Sequence, residues 1–189
     1  MFQFELILAI FVIIFVSLIY SAYIYNKLIS LKNDVKNAYA QICVQLKRRH
    51  NLIPNLVETV KGYSQHEHQT LENVIKARSQ AVALLKNEDY AQISSAEYQL
   101  SDSLKSLFAV AEAYPELKAD TNFITLQEEL TTTENRIAYA RQYFNDTVAE
   151  YNKQLQIFPN IFIASTFKFR VANFFYTTDN ESPTVNVRF

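Results

Sequence analysis

Residues 6–25 read LILAIFVIIFVSLIYSAYIY, an apolar run interrupted only by Ser17, Ser21 and tyrosine hydroxyls. No side chain in it is charged. As a helix, a run of about twenty residues rises about 30 Å, the thickness of a bilayer's hydrocarbon core. The stretch therefore predicts a transmembrane helix. A cleaved signal peptide would want a positive start, a shorter apolar core and a small-x-small cleavage site. Met1-Phe2-Gln3-Phe4-Glu5 instead offers a carboxylate and neither Lys nor Arg. An uncleaved anchor is the expectation, with residues 1–5 as a short extracytoplasmic N-terminus.

Working outward, Lys27, Lys32 and Lys36 follow the run against a single Asp34. By the positive-inside rule this puts the C-terminal side in the cytoplasm and the N-terminus outside, as a single-pass protein of an inner membrane. Ser17 and Ser21 form a small-xxx-small pair of the kind that lets two membrane helices approach. An ordinary helix face is the plainer reading of that spacing.

Beyond the anchor, Leu28, Leu31, Val35, Ala38, Ile42, Leu46, Ile53, Leu56 and Val60 recur mostly at steps of three and four, the stripe of one long helix. Pro54 removes a donor and leaves the His50 carbonyl without its helical partner, which predicts a bend. Gly62 reads as the C-terminal stop, and Ser64-Gln65-His66-Glu67 as a capping box for a second helix. That helix carries Leu71, Val74, Ile75, Val82 and Leu85. Asp89-Tyr90-Ala91-Gln92 offers a similar start to a third, with Ile93, Leu100, Leu104, Leu107, Ala111 and Tyr114 on one side and Pro115 ending it. After a polar connection over 116–122, a fourth helix carries Phe123, Leu126, Leu130, Thr133, Ile137, Ala140, Phe144, Val148, Tyr151, Leu155 and Phe158, and stops at Pro159.

The expected fold class is all-α: a transmembrane helix over 6–25, then an up-down-up-down antiparallel bundle over 26–158 with two long and two shorter helices. Near the membrane only the first and fourth helices would remain paired. Val35, Ile42, Phe144, Val148, Tyr151 and Phe158 flank that stalk. Two helices bury an apolar face poorly, so these residues are expected either to self-associate, giving a homo-oligomer of coiled-coil character, or to be covered by the C-terminal segment. The tail over 159–189 holds Phe162, Phe167, Phe169, Phe174, Phe175 and Phe189, with Lys168 and Arg170 among them. It suits docking at the membrane interface. Packing on the bundle, or pairing as a short extended segment, is the plainer expectation.

Composition narrows the function. A net charge of −1 gives no basic field for nucleic acid. One glycine leaves no Gly-rich nucleotide loop, and one cysteine, Cys43, allows neither an intrachain disulfide nor a paired-cysteine metal site. His66-Glu67-His68 spaces its histidines two apart, off any shared helix face, and His68 with Glu72 makes at most two ligands. Neither a metal nor a cofactor nor a small-molecule substrate is expected. Lys47, Arg48, Arg49 and His50 could bind a partner, but Arg49 comes close to the apolar seam. Glu58, Glu134 and Arg136 are possible partners within the bundle, and structural charges are the first reading of the cluster, with partner binding second.

Several stretches resemble the LemA family of bacterial membrane proteins. They are YNKL over 25–28, QLKRRHNLIPNLVETVKGY over 45–63, AEAYPELKA over 111–119, LQEEL over 126–130, TENRIA over 133–138 and the Phe158-Pro159 junction. Cys43 departs from the pattern, standing where an acidic residue is common. The resemblance implies one N-terminal membrane helix, a small N-terminus outside, and an up-and-down helical bundle. It implies no catalytic activity and no cofactor, and it carries over no functional residue. The expected function is a non-enzymatic scaffold binding other membrane proteins or copies of itself at the cytoplasmic face. The alternative is an accessory subunit in membrane-protein quality control or envelope stress, assisting a protease or transporter.

Overall fold

The computed structural model describes residues 2–63, 67–86 and 89–175. Its elements are α1 (Phe2–Tyr63), α2 (His68–Leu84), α3 (Tyr90–Ala111), α4 (Pro115–Lys118), α5 (Thr121–Gln156) and α6 (Asn160–Thr166). Every element among the described residues is a helix, as the periodicity predicts. The apolar run and the first seam form one continuous α1. Residues 2–20 are all exposed, so this stretch is not the core of a soluble bundle; it is long and apolar enough to cross a membrane. Ser21 donates its hydroxyl to the Ser17 carbonyl at 2.8 Å, which satisfies that hydroxyl within the helix.

Several boundaries differ from the sequence reading, each for a local reason. Gly62 stays helical at negative φ, and α1 ends one residue later, at Tyr63. It is therefore not a left-handed cap. Of the expected capping box, Ser64, Gln65 and His66 lie outside the described residues; Glu67 occupies the N-cap of α2 without a side-chain cap bond. Asp89 caps α3 as read, accepting from the Ala91 and Gln92 N–H groups, and Gln92 reaches back to it at 2.8 Å. Pro115 does not end α3, which stops at Ala111; it opens the one-turn α4, where its missing N–H costs nothing. The connection over 116–122 thus contains a helical turn that buries Leu117. At the far end α5 finishes at Gln156, the Phe158-Pro159 peptide is cis, and α6 follows where an extended segment was an open reading.

The described residues divide into two compact units, 2–38 with 144–173, and those within 39–143 together with 174–175. In the first, Ile24, Leu28, Val35 and Ala38 of α1 are buried, as are Phe144, Val148, Tyr151 and Leu155 of α5. Both sets step by three, four or seven, the spacing of long helices that pack along their length. The segment after α6 is tied to α5. Tyr151 Oη donates to the Arg170 carbonyl at 3.0 Å, and Asn152 exchanges two hydrogen bonds with the Ala172 backbone at 2.8 and 2.9 Å. Burial pushes the Tyr151 phenol pKa up. On the solvent side of α5, the Gln154 amide, followed by Lys153 and Lys27, lowers that of Glu150.

The second unit holds the larger core, from Ile53, Leu56, Val57 and Val60 of α1 through Leu71 and Val74 of α2 to Leu100, Leu104 and Leu107 of α3 and Leu130 of α5. Two tyrosine–carboxylate bonds fasten its turns. Tyr63 Oη donates to Asp120 at 2.8 Å, and Tyr114 Oη donates to Glu67 at 3.2 Å. The bond to Asp120 raises the Tyr63 pKa, while burial, then Glu67, raises that of Tyr114. Asp120 also accepts from the Phe123 N–H at 2.9 Å, and this bond, then Tyr63, lowers its own pKa.

Candidate functional site

Helix α1 places Arg49 and His50 between Leu46 and Ile53, on the face that enters the core. Steps of three and four from either leucine or isoleucine bring them there. On α3, Glu97 stands four residues after Ile93 and three before Leu100, again on the buried face. These side chains meet. His50 Nε2 lies 2.7 Å from Glu97 Oε1, and Arg49 lies 3.4 Å from Glu97 Oε2. Arg49 also donates to Ser101 Oγ at 2.7 Å and pairs with Glu134 of α5 at 3.1 Å.

Side-chain exposures of 4% for Arg49, 3% for His50 and 0% for Glu97 mean that three polar groups have left water and depend on one another. Taking a charged group out of water costs several kcal/mol by rough estimate, offset only when the geometry supplies full hydrogen bonding. Glu97 uses both oxygens to do so. A histidine bonded to a carboxylate is half of an acid–base device. Here the pair is buried between α1 and α3 and joins the two helices.

The Pro54 lesion is repaired at the same level. Helix α1 runs through the proline, and Arg78 of α2 donates Nε to the abandoned His50 carbonyl at 2.7 Å. His50 is thus held twice, by its ring to α3 and by its backbone to α2. Arg48, half exposed, pairs with Glu129 of α5. The cluster ties α1 to three other helices.

Besides a polar cleft between α2 and α3, two clefts on this unit reach α1 and α5. One, of ≈ 330 Å³, has Arg49, Ser101 and Glu134 on its wall with Leu104, Phe108 and Leu130 beside them. The other, of ≈ 540 Å³, runs between α1 and α5 along Ala40, Val44, Gln45, Arg136, Tyr139 and Tyr143. Val44, Tyr139 and Tyr143 are exposed there. Gln45 Oε1 is buried without a hydrogen-bond partner among the described residues. Among the described residues no group of three or more His, Cys, Asp or Glu side chains could hold a metal. His68 and Glu72 are both exposed on α2.

Of the residues singled out for partner binding, Arg49 and His50 are buried, Arg48 is paired, and Lys47 is exposed. Glu134 joins Arg49 as one of the charges expected to pair with it; Glu58 sits 4.0 Å from Lys61, and Arg136 lines the α1–α5 cleft. Of those singled out for self-association, Val35, Ile42, Phe144, Val148 and Tyr151 are buried within the chain, and Phe158 is exposed. Among the residues that sequence reasoning missed, with Arg78, Ser101 and Glu129, is Glu97. Its signal was a seven-residue gap in the α3 stripe between Ile93 and Leu100, matching the gap between Leu46 and Ile53 that holds Arg49 and His50.

These features define a class: helical proteins with an apolar N-terminal helix and a core joined by a buried Arg-His-Glu cluster. The LemA family pattern matches residues 38–189, and the chain belongs to that family. Among curated relatives it is similar to Protein LemA of Metamycoplasma hominis, at 26% identity over 152 residues, covering 78% of this chain and 68% of that one. It is also similar to Magnetosome protein MamQ of Magnetospirillum gryphiswaldense, at 25% identity over 199 residues, covering 91% of this chain and 72% of the relative. Magnetosome protein MamQ 2 of Paramagnetospirillum magneticum aligns at 24% identity over 177 residues, with 80% and 64% covered.

Proposed function

We propose that this chain is a membrane-tethered, non-enzymatic scaffold whose task is contact with other membrane proteins or with further copies of itself. In this reading the apolar part of α1 spans a bacterial inner membrane. Lys27, Lys32 and Lys36 keep the helical domain in the cytoplasm, and the helices run up, down, up and down. One observation carries the reading. Arg49, His50 and Glu97 are locked together inside the helices, while the α1–α5 cleft leaves Val44, Tyr139 and Tyr143 in solvent. Tyrosines on a rigid helix face supply contact area at low entropic cost and are common at binding hot spots. Lys47 and Arg48, the part of the basic cluster that reaches the surface, would add charge to that contact.

Native mass measurement of the full chain, extracted after crosslinking in intact membranes, tests this. A defined oligomer or a stoichiometric second protein is the expected result. A second protein identified as a protease or transporter would specify an accessory role. Monomer alone, at every concentration and after crosslinking, would overturn the proposal.

A further inference from the structure

We propose that residues 158–171 make a second contact with the bilayer, lying in its headgroup and upper acyl region beside the point where α1 emerges. The proposal rests on α1 spanning that bilayer, as proposed above. Phe158, Phe162 and Phe167 are 78%, 64% and 56% exposed, and Ile161 and Val171 are exposed beside them. Scattered exposed apolar residues are ordinary; this many within fourteen consecutive positions are not. The Phe158 and Phe162 rings pack edge to face at 5.9 Å, so they present one surface.

The level of that surface is fixed by contacts within the first unit. Tyr25 closes the apolar run, at the depth where tyrosines mark the membrane–water boundary. Its ring packs against Phe167 at 4.7 Å and Phe169 at 5.8 Å. Lys168 turns the chain between them at φ 55°, and the Phe169 N–H closes α6 on the Ala164 carbonyl at 2.9 Å. The hydrogen bonds from Tyr151 and Asn152 to the backbone of 170 and 172 hold the segment from the other side. Chain that touches the last ring of a membrane span on one side and α5 on the other is confined to the interface.

Charge completes the match. Lys27, Lys168 and Arg170 are exposed on the same unit, the sign that anionic headgroups attract. A short apolar helix binds a membrane weakly when free. Tethered by α1, this one meets the surface at high effective concentration, so modest affinity suffices.

The chain has no tryptophan, so single-tryptophan variants report without background. Phe158→Trp, Phe162→Trp, Val12→Trp and the control Tyr98→Trp are each placed, as full chains, in nanodiscs of phosphatidylcholine and phosphatidylglycerol. Quenching is then read with lipids brominated near the headgroup or mid-chain. The expected result is that Phe158→Trp and Phe162→Trp lose most of their emission to shallow bromines, Val12→Trp loses most to deep ones, and Tyr98→Trp loses little. Quenching of Val12→Trp without quenching at 158 and 162 would overturn the second contact while leaving the anchor intact. No quenching of Val12→Trp would overturn the anchor and this inference with it. Blue-shifted but unquenched emission at 158 and 162 would mean that protein, such as a second copy, covers the surface, and would also overturn it. Lys168→Glu with Arg170→Glu should reduce quenching of Phe162→Trp; no change would remove the headgroup attraction from the account.

Discussion

Around Glu97, charged side chains occupy positions that normally take leucine; along residues 158–171, phenylalanines occupy positions that normally take polar side chains. The first inversion is compensated inside the chain. Every charge in it has a partner within the same unit, and the partners come from four helices. The second inversion has exposed rings that touch one another and Tyr25 yet keep most of their surface open. A buried charge that is satisfied specifies alignment, because a slipped register would strand it. An exposed aromatic surface left open among the described residues suits the outside contact proposed for it. In the proposed reading, the two regions divide the labour between holding shape and making contact.

The sharpest way to break this contrast is to strip the buried partner. Glu97→Ala leaves Arg49 and His50 in the core without their shared acceptor and should cost roughly 3–5 kcal/mol, read as a lower denaturation midpoint of the detergent-solubilised full chain. Glu97→Gln, which keeps the shape and one acceptor oxygen, should cost less. Equal, small losses for both would place the alignment elsewhere.

Next is the repair at Pro54. Arg78→Ala exposes the His50 carbonyl to no donor and should cost about 1–3 kcal/mol. In a Pro54→Ala background the restored N–H at position 54 can close that bond, so the same Arg78→Ala change should cost markedly less. Identical costs in both backgrounds would show that Arg78 acts through something other than this carbonyl.

Asp120 gives a smaller effect with a pH signature. Its pKa is lowered in the folded chain, so its contribution is complete above the unfolded carboxyl pKa and is lost as pH falls through the folded one. Asp120→Ala should lower stability at neutral pH and flatten the acid side of the stability curve; an unchanged acid limb would contradict the role of the Phe123 and Tyr63 bonds. The smallest change is a gain. Gly62 lies in the last turn of α1 with open space where a Cβ would sit, so Gly62→Ala should add about 0.5–1 kcal/mol. A loss would indicate that position 62 needs glycine after all.

Much of this was legible in the sequence, because helical periodicity, an apolar run and an acidic cap are local signals. The seams of α1, α3 and α5 and the Asp89 cap follow from residue spacing alone. The boundaries at Gly62, Pro115 and Phe158 did not, since each residue type admits two backbone roles and packing selects between them. Pro115 could stop one helix or start the next; the buried Leu117 favours the start. Orphaning of the His50 carbonyl was readable from Pro54, but its rescuer, Arg78, is 28 residues away and on another helix. Glu97 was hidden because a charged residue inside an apolar stripe reads as a gap. It becomes readable only when two gaps of opposite charge, one on α1 and one on α3, are set against each other.

The proposed scaffold role, with contact through the α1–α5 cleft, is tested most directly by a photo-crosslinker placed at Tyr139 in intact membranes, with Lys76, exposed beside the polar α2–α3 surface, as the reference position. The account predicts a discrete protein adduct from position 139, either a second copy or one partner, and no such adduct from position 76. Equal, diffuse labelling from both positions, or none from either, would contradict it.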